Sequence, residues 1–317
     1  MGRIFSTLFL ISAFSLIYFL FQSQDLSVAS PIPKVFGINK PYKTVVNSWF
    51  PKSLPASESD QLNISAKSVL LVDYDSGDVI FAKNARERLQ AASTIKIMTA
   101  LVALANADLA DEFIVSEVGA KVGENSMGLT PGENLTLREL LSGLMLVSGN
   151  DAAVVIAEGI SLSEGAYVEL MNKKSRELGL ADTKFINVTG LDEDQEEQYT
   201  TAYDMSVIAH YTWENFPTFR EISSTVHEFI DATETHKAFD LYNDTNLLTT
   251  YPGVYGIKPG FTWNAGLCLV TYAENDGKRL LGVILGSDDR RGEMKELLDY
   301  GFNYYGIKID HPALDLL

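Results

Sequence analysis

Cysteine is almost absent from this chain. Cys268 is the only one in 317 residues, so no internal disulfide framework can hold the fold. It sits in the apolar run Ala265-Gly266-Leu267-Cys268, which marks a buried small hydrophobe rather than a reactive thiol. Histidine is scarce too. His210, His227, His236 and His311 have none of the spacings of a metal site, and no metal is expected. Positive charge is outweighed, with 25 Lys and Arg against 42 Asp and Glu. The net charge of −17 argues against a nucleic-acid partner, because phosphates would be repelled. Internal repeats are lacking. What remains, 46% hydrophobic and 21% charged residues, is the composition of a globular protein with a sizeable core.

Charge is also missing near the N-terminus. Arg3 precedes an uncharged run from Ile4 to Phe21, and the next charge is Asp25. The run is longer than an ordinary signal core and close to a membrane span. Arg3 favours an orientation that exports everything after it. Val28-Ala29-Ser30 has the small residues of a cleavage site, but Pro31 follows. Residues 1–30 are therefore expected to be an uncleaved membrane anchor, with a secreted protein as the outcome if they are cut. Pro31, Pro33, Pro41, Pro51 and Pro55 break any regular element over 31–65, which is expected to be a linker. A single domain is expected over 66–305, followed by a short tail at 306–317.

Within that domain, Ser68–Asp73 and Val79–Ala82 form one predicted hairpin. Gly266–Ala273 and Arg279–Leu285 form another, around the strong turn Asn275-Asp276-Gly277. Helices are predicted between them: 91–104, one opened by the capping box Thr136-Leu137-Arg138-Glu139, one from Ser148-Gly149-Asn150, one at 165–178 and one from Thr201. A last helix is predicted over 292–300. The pattern implies an α+β fold in which both hairpins share an antiparallel sheet covered by helices. The acidic run from Asp192 to Glu197 reads as a solvated loop, since the alternation of a calcium loop is absent.

The helix at 91–104 is apolar nearly all round, yet carries Lys96 with Ser93 three residues before it. Positions i and i+3 share a helix face, so hydroxyl and amine can meet. A serine beside a desolvated amine is a nucleophile beside its base. Alone, the pair reads as well as a serine cap and a snorkelling lysine. Ser148-Gly149-Asn150 alone is a helix cap, and Lys258-Pro259-Gly260 alone is a turn.

Taken in order, the three patterns match the S-x-x-K, S-x-N and K-T-G of the penicillin-binding proteins and serine β-lactamases. The match extends through Asp73-Tyr74-Asp75-Ser76-Gly77, Leu178-Gly179-Leu180, Thr189-Gly190-Leu191-Asp192, Tyr203-Asp204-Met205 and Asn246-Leu247-Leu248. From Ala66 to Tyr305 the chain resembles the low-molecular-mass D-alanyl-D-alanine carboxypeptidases, peptidase family S11. The resemblance implies the penicillin-binding protein fold and a peptidoglycan stem peptide ending in D-Ala-D-Ala as substrate. It also implies β-lactam binding, no cofactor, and an exported location at the outer face of the bacterial cytoplasmic membrane.

By the same resemblance Ser93 attacks the peptide carbonyl and Lys96 takes its proton. Ser148 relays a proton to the leaving residue, and Asn150 binds substrate and orients Lys96. The N–H groups of Ser93 and Phe261 form the oxyanion hole beside Gly260. Lys258, Thr262 and Arg290 bind the terminal carboxylate, with Arg291 as an alternative to Arg290.

Pro259 departs from the family's threonine and removes a hydroxyl and an N–H. It is expected at a sheet edge and bears on substrate preference and rate. The chain's end at Leu317 leaves no room for the C-terminal β-domain and anchor of many members, so the N-terminal run is the expected tether. The alternatives share the site. A D,D-endopeptidase would use the same residues. A β-lactamase would need an activated water, for which only Glu169 and Asn172 superficially offer. An inactive peptidoglycan-binding module finds support in Pro259 alone. Asn63, Asn134 and Asn187 head glycosylation-like triplets, read as coincidence.

Overall fold

The most apolar strands of the chain lie side by side. In a computed structural model, which describes residues 49–52, 62–193 and 198–311, β1 (Ser68–Asp73) pairs antiparallel with both β2 (Val79–Lys83) and β9 (Lys278–Ser287). β8 (Gly266–Asn275) and β7 (Val254–Thr262) complete a five-stranded antiparallel sheet in the order β2-β1-β9-β8-β7. The β8–β9 turn works because Asp276 and Gly277 both take positive φ, +46 and +71. The two hairpins thus share one sheet, and the α+β expectation holds.

Every residue of β1 is buried, because both faces of the sheet are covered. Leu70 and Val72 enter the larger core, beneath the helical layer. Val69 and Leu71 enter a smaller core against α8 (Arg290–Tyr304), with Met294, Leu297 and Phe302. Each such side chain contributes about 1.5–3 kcal/mol of burial. The helix predicted over 292–300 is longer than its pattern at both ends. It begins at Arg290 because Asp289 accepts a bond from the Gly292 N–H and acts as its N-cap.

The helical layer is centred on α1 (Lys96–Asn106), which touches α2 (Leu137–Leu146), α3 (Asn150–Ser161), α4 (Glu164–Glu177) and α5 (Ala202–Asn215). Its residues from Lys96 to Ala103 are buried, as a helix without a polar face requires. The Thr136–Glu139 capping box forms as expected. Sequence patterns did not reveal α6 (Pro217–Ser224), α7 (Leu247–Thr250), or the small hairpins β3–β4 (Glu112–Ile114, Asn134–Thr136) and β5–β6 (His227–Ile230, Phe239–Tyr242). These elements are too short to carry a period. β7 is also a strand where Lys258-Pro259-Gly260 alone suggested a turn. Its edge position accommodates a proline, which cannot donate to a ladder.

Parts of the proline-rich stretch 31–65 lie against the domain. The Trp49 ring stacks on His210, 3.8 Å between centroids, and its Nε1 donates to the Tyr74 carbonyl at 2.9 Å. Burial pushes the His210 imidazole down to about 4, so it stacks as a neutral ring. Lys52 N–H donates to the Gly77 carbonyl. In the tail, Ile307 and Ile309 pack on the smaller core. Among the described residues no helix is long and apolar enough to cross a membrane. The expected anchor at 1–30 lies outside the described residues.

Candidate active site

Ser93 does not cap a helix and Lys96 does not snorkel. Residues Ala92–Ile95 form a 3₁₀ turn ahead of α1, with no side-chain cap at Ala91. The Lys96 side chain is fully buried, and its Nζ lies 2.9 Å from Ser93 Oγ, 2.7 Å from Asn150 Oδ1 and 2.6 Å from the Thr189 carbonyl. Burial is the main cause holding the Lys96 amine well below the ordinary lysine range, and the like charge of Lys258 adds to it. A neutral amine has two N–H bonds and one lone pair. Asn150 Oδ1 and the Thr189 carbonyl can take both N–H bonds, which leaves the lone pair for the Ser93 hydroxyl. This is a serine beside a base ready to accept its proton.

The Thr189 carbonyl is aimed by a side-chain turn. Asn187 Oδ1 accepts from the Gly190 N–H at 2.8 Å, and Asn187 Nδ2 donates to the Leu191 carbonyl at 3.0 Å. Asn187 is itself buried. The turn needs glycine at 190, where φ is +86 and an added Cβ would stand 2.1 Å from the Ala92 carbonyl oxygen. Both obstacles are backbone. Gly190→Ala is expected to cost roughly 2–4 kcal/mol. Thermal melting measures this, and an unchanged melting temperature would show that the turn is not seated on Ala92. Ala92 and Ser148 also hold positive φ, +47 and +60, without being glycine. Strain of order 1–3 kcal/mol each is thus stored beside both serines of the site.

Ser148 lies between α2 and α3 with its hydroxyl buried and without a hydrogen-bond partner among the described residues. Asn150 opens α3 and donates from Nδ2 to the Gly123 carbonyl at 2.9 Å, which fixes its Oδ1 toward Lys96. Asp151, the next residue of α3, is an organiser. Its carboxylate accepts the N–H groups of Met127, Gly128 and Leu129 at 2.9–3.0 Å and the Ser126 hydroxyl at 2.6 Å.

β7 forms the opposite wall. Gly260 packs so tightly that an added Cβ would stand 2.8 Å from the Ser93 nitrogen. Lys258 is fully buried on the same strand and ion-paired to Asp244. Phe261 is half exposed and meets the exposed Trp263 edge-on, 5.4 Å between centroids. Thr262 donates from its hydroxyl to Asp192 at 2.8 Å. Asp192 also accepts the Asn264 N–H at 3.2 Å, so this first residue of the acidic run is exposed, as expected, but tied to the end of β7. Residues 194–197 lie outside the described residues. Arg290 donates to the Gly260 carbonyl at 2.6 Å, while Arg291 lines a separate cavity of about 150 Å³ with Thr245 and Thr249. Ser93, Lys96 and Asn150 are thus joined directly, and Gly260 abuts them. Asp244 and Asp192 were not foreseen. Glu169 lies exposed on α4, and Asn172 bonds the backbone of Phe185.

The sheet and the serine–lysine pair define the serine D,D-peptidase fold. The Streptomyces K15 DD-transpeptidase matches with a TM-score of 0.71 at 28% identity, over 77% of this chain and 100% of that one. The D-alanyl-D-alanine carboxypeptidase DacD from Francisella tularensis matches with 0.69 at 29% identity, over 78% of this chain and 73% of that one. The sequence profile of the family described as D-alanyl-D-alanine carboxypeptidase, peptidase S11, matches residues 55–289, and the chain belongs to that family. It is 38% identical over 255 residues to D-alanyl-D-alanine carboxypeptidase DacF of Bacillus subtilis, across 78% of this chain. The chain spans less than two thirds of the length of the first curated relatives, 64% of DacF and 66% of DacD of Escherichia coli.

Proposed function

We propose that this chain is a serine D,D-carboxypeptidase that removes the terminal D-alanine of peptidoglycan stem peptides through an acyl-enzyme on Ser93. The observation that carries this reading is the buried Lys96 amine 2.9 Å from Ser93 Oγ, with Asn150 and Thr189 as its other partners. Ser93 Oγ attacks the carbonyl between the two D-alanines as Lys96 takes its proton. The Ser93 and Phe261 N–H groups stabilise the oxyanion. Ser148, whose hydroxyl is uncommitted, passes a proton to the departing amine. Asn150 holds Lys96 in line and bonds the peptide. Lys258, Thr262 and Arg290 receive the terminal carboxylate. Water then cleaves the ester on Ser93 and regenerates the hydroxyl.

Penicillin is read as an acylating mimic of the same peptide. The substrate class and the uncharged run Ile4–Phe21 after Arg3 together support a location outside the cytoplasmic membrane, tethered by that run. An amine in place of water would turn the same acyl-enzyme to transpeptidation, the activity in the name of the Streptomyces neighbour. An amide cross-link in place of the terminal residue would make it an endopeptidase.

The test is incubation with a model peptide ending in D-Ala-D-Ala, followed by mapping of a fluorescent-penicillin adduct by mass spectrometry. Release of D-alanine and an adduct on the Ser93 peptide are expected. Absence of both would refute the reading. Muropeptide products, with and without an added amine, separate hydrolysis, cross-link cleavage and transfer.

A further inference from the structure

Lys258 is not waiting free for an anion. Its Nζ lies 3.0 and 3.2 Å from the two oxygens of Asp244. The two partners differ in exposure, 0% for the lysine side chain and 33% for the aspartate. The ammonium has no water to turn to, whereas the carboxylate does. Burial lowers the Lys258 pKa, and Asp244 opposes that shift, so the aspartate favours the charged form of the amine. The Asp244 backbone is pinned, its N–H donating to the Leu146 carbonyl at 2.9 Å, and the preceding Asn243 is tied to Ser223 and Thr225. With the backbone held, the carboxylate is the part of Asp244 that can turn from Lys258 toward solvent. Arg290 and the Lys96 amine both act on this pair as well. Thr262, the remaining donor assigned to the substrate carboxylate, is likewise engaged by an acid, Asp192.

Resting on the carboxypeptidase reading, we infer that Asp244 is a resident counter-ion in the terminal-carboxylate subsite, one that the substrate's carboxylate displaces from Lys258 and that returns as free D-alanine leaves. Asp244 then acts through Lys258 as a positioning residue that sets specificity. Two carboxylates on one buried ammonium repel each other, so the resident acid weakens binding of every ligand that brings a free carboxylate. Substrate affinity falls, and so does retention of the D-alanine product. A ligand ending in an amide brings no charge and does not take part in the exchange.

The experiment compares one peptide as its free acid and as its C-terminal amide, each as substrate or competitive inhibitor, on wild type and Asp244→Asn. D-alanine is also titrated as an inhibitor of penicillin labelling. Asp244→Asn is expected to tighten the free acid and D-alanine by roughly three- to tenfold while the amide changes little. The effect should appear in KM more than in kcat. Asp244→Glu keeps the carboxylate and should restore the wild-type ratio of acid to amide. A merely structural role would weaken acid and amide alike. If Asp244→Asn does not fold, Asp244→Ser carries the same comparison. An acid-to-amide ratio that stays put or falls, in a wild type that cleaves and is labelled, overturns this inference alone. A wild type that neither releases D-alanine nor takes penicillin overturns the carboxypeptidase reading, and this inference with it.

Discussion

Ser93→Ala is expected to abolish covalent penicillin labelling and to lower D-alanine release roughly 10,000-fold or more, since no other group can form the ester. The neighbouring hydroxyls are poor substitutes. Thr94 Oγ1 donates back to the Ala91 carbonyl at 2.7 Å. Ser148 is held at a positive φ between two helices. The loss should come without unfolding. Ser93 caps no helix, and its removal leaves Lys96 bound to Asn150 and Thr189. Melting curves should therefore nearly coincide, and reversible binding of the peptide should survive. Equal labelling of wild type and Ser93→Ala would place the acyl group elsewhere and end the assignment.

Much of the fold was legible because its signals are local. The Asn275-Asp276-Gly277 turn, the Thr136–Glu139 capping box and the apolar run at 97–103 each announce their own geometry within a few residues. The sharing of one sheet by the two hairpins followed from their burial needs. β7 was less legible, because Pro259 and two glycines give a strand the composition of a turn. Only its place at the sheet edge reconciles them. The 3₁₀ start of the central helix was hidden as well, since the positive φ of Ala92 is imposed by packing rather than by its residue type.

The site divides in the same way. Ser93, Lys96, Ser148 and Asn150 stand in short motifs, and the i, i+3 spacing already put hydroxyl and amine together. Their supports are not local. Asp244 lies 14 residues before Lys258, just ahead of Asn246-Leu247-Leu248, and Asp192 lies 70 residues before Thr262 in an acidic run that reads as solvated. No period or spacing links either acid to its partner. Gly190 is similar: its need for a bare Cα comes from the Ala92 carbonyl pressed against it. The motifs named the reacting groups, while the elements that hold their charges and dipoles required the tertiary structure.

Lys96→Arg is expected to slow acylation about 100- to 10,000-fold, the range that loss of a general base produces. Arginine keeps donors for Asn150 and Thr189 but cannot give up its proton, so it cannot accept one from Ser93. In wild type the sign of the pH dependence follows from the depressed Lys96 pKa. Below that pKa the amine carries a proton and cannot act as base. As pH rises through it the neutral amine accumulates and kcat/KM climbs. Burial first, and the charge of Lys258 second, move this ascending limb down from the ordinary lysine value of 10.5 toward neutrality. A profile still rising near pH 10 would mean that Lys96 is protonated in the working enzyme and that another group takes the proton. The arginine variant should lose the limb altogether, its residual rate being flat where the wild type climbs. A limb that persists in Lys96→Arg would move the base to another residue, whereas its loss alongside intact melting ties the proton transfer to this one amine.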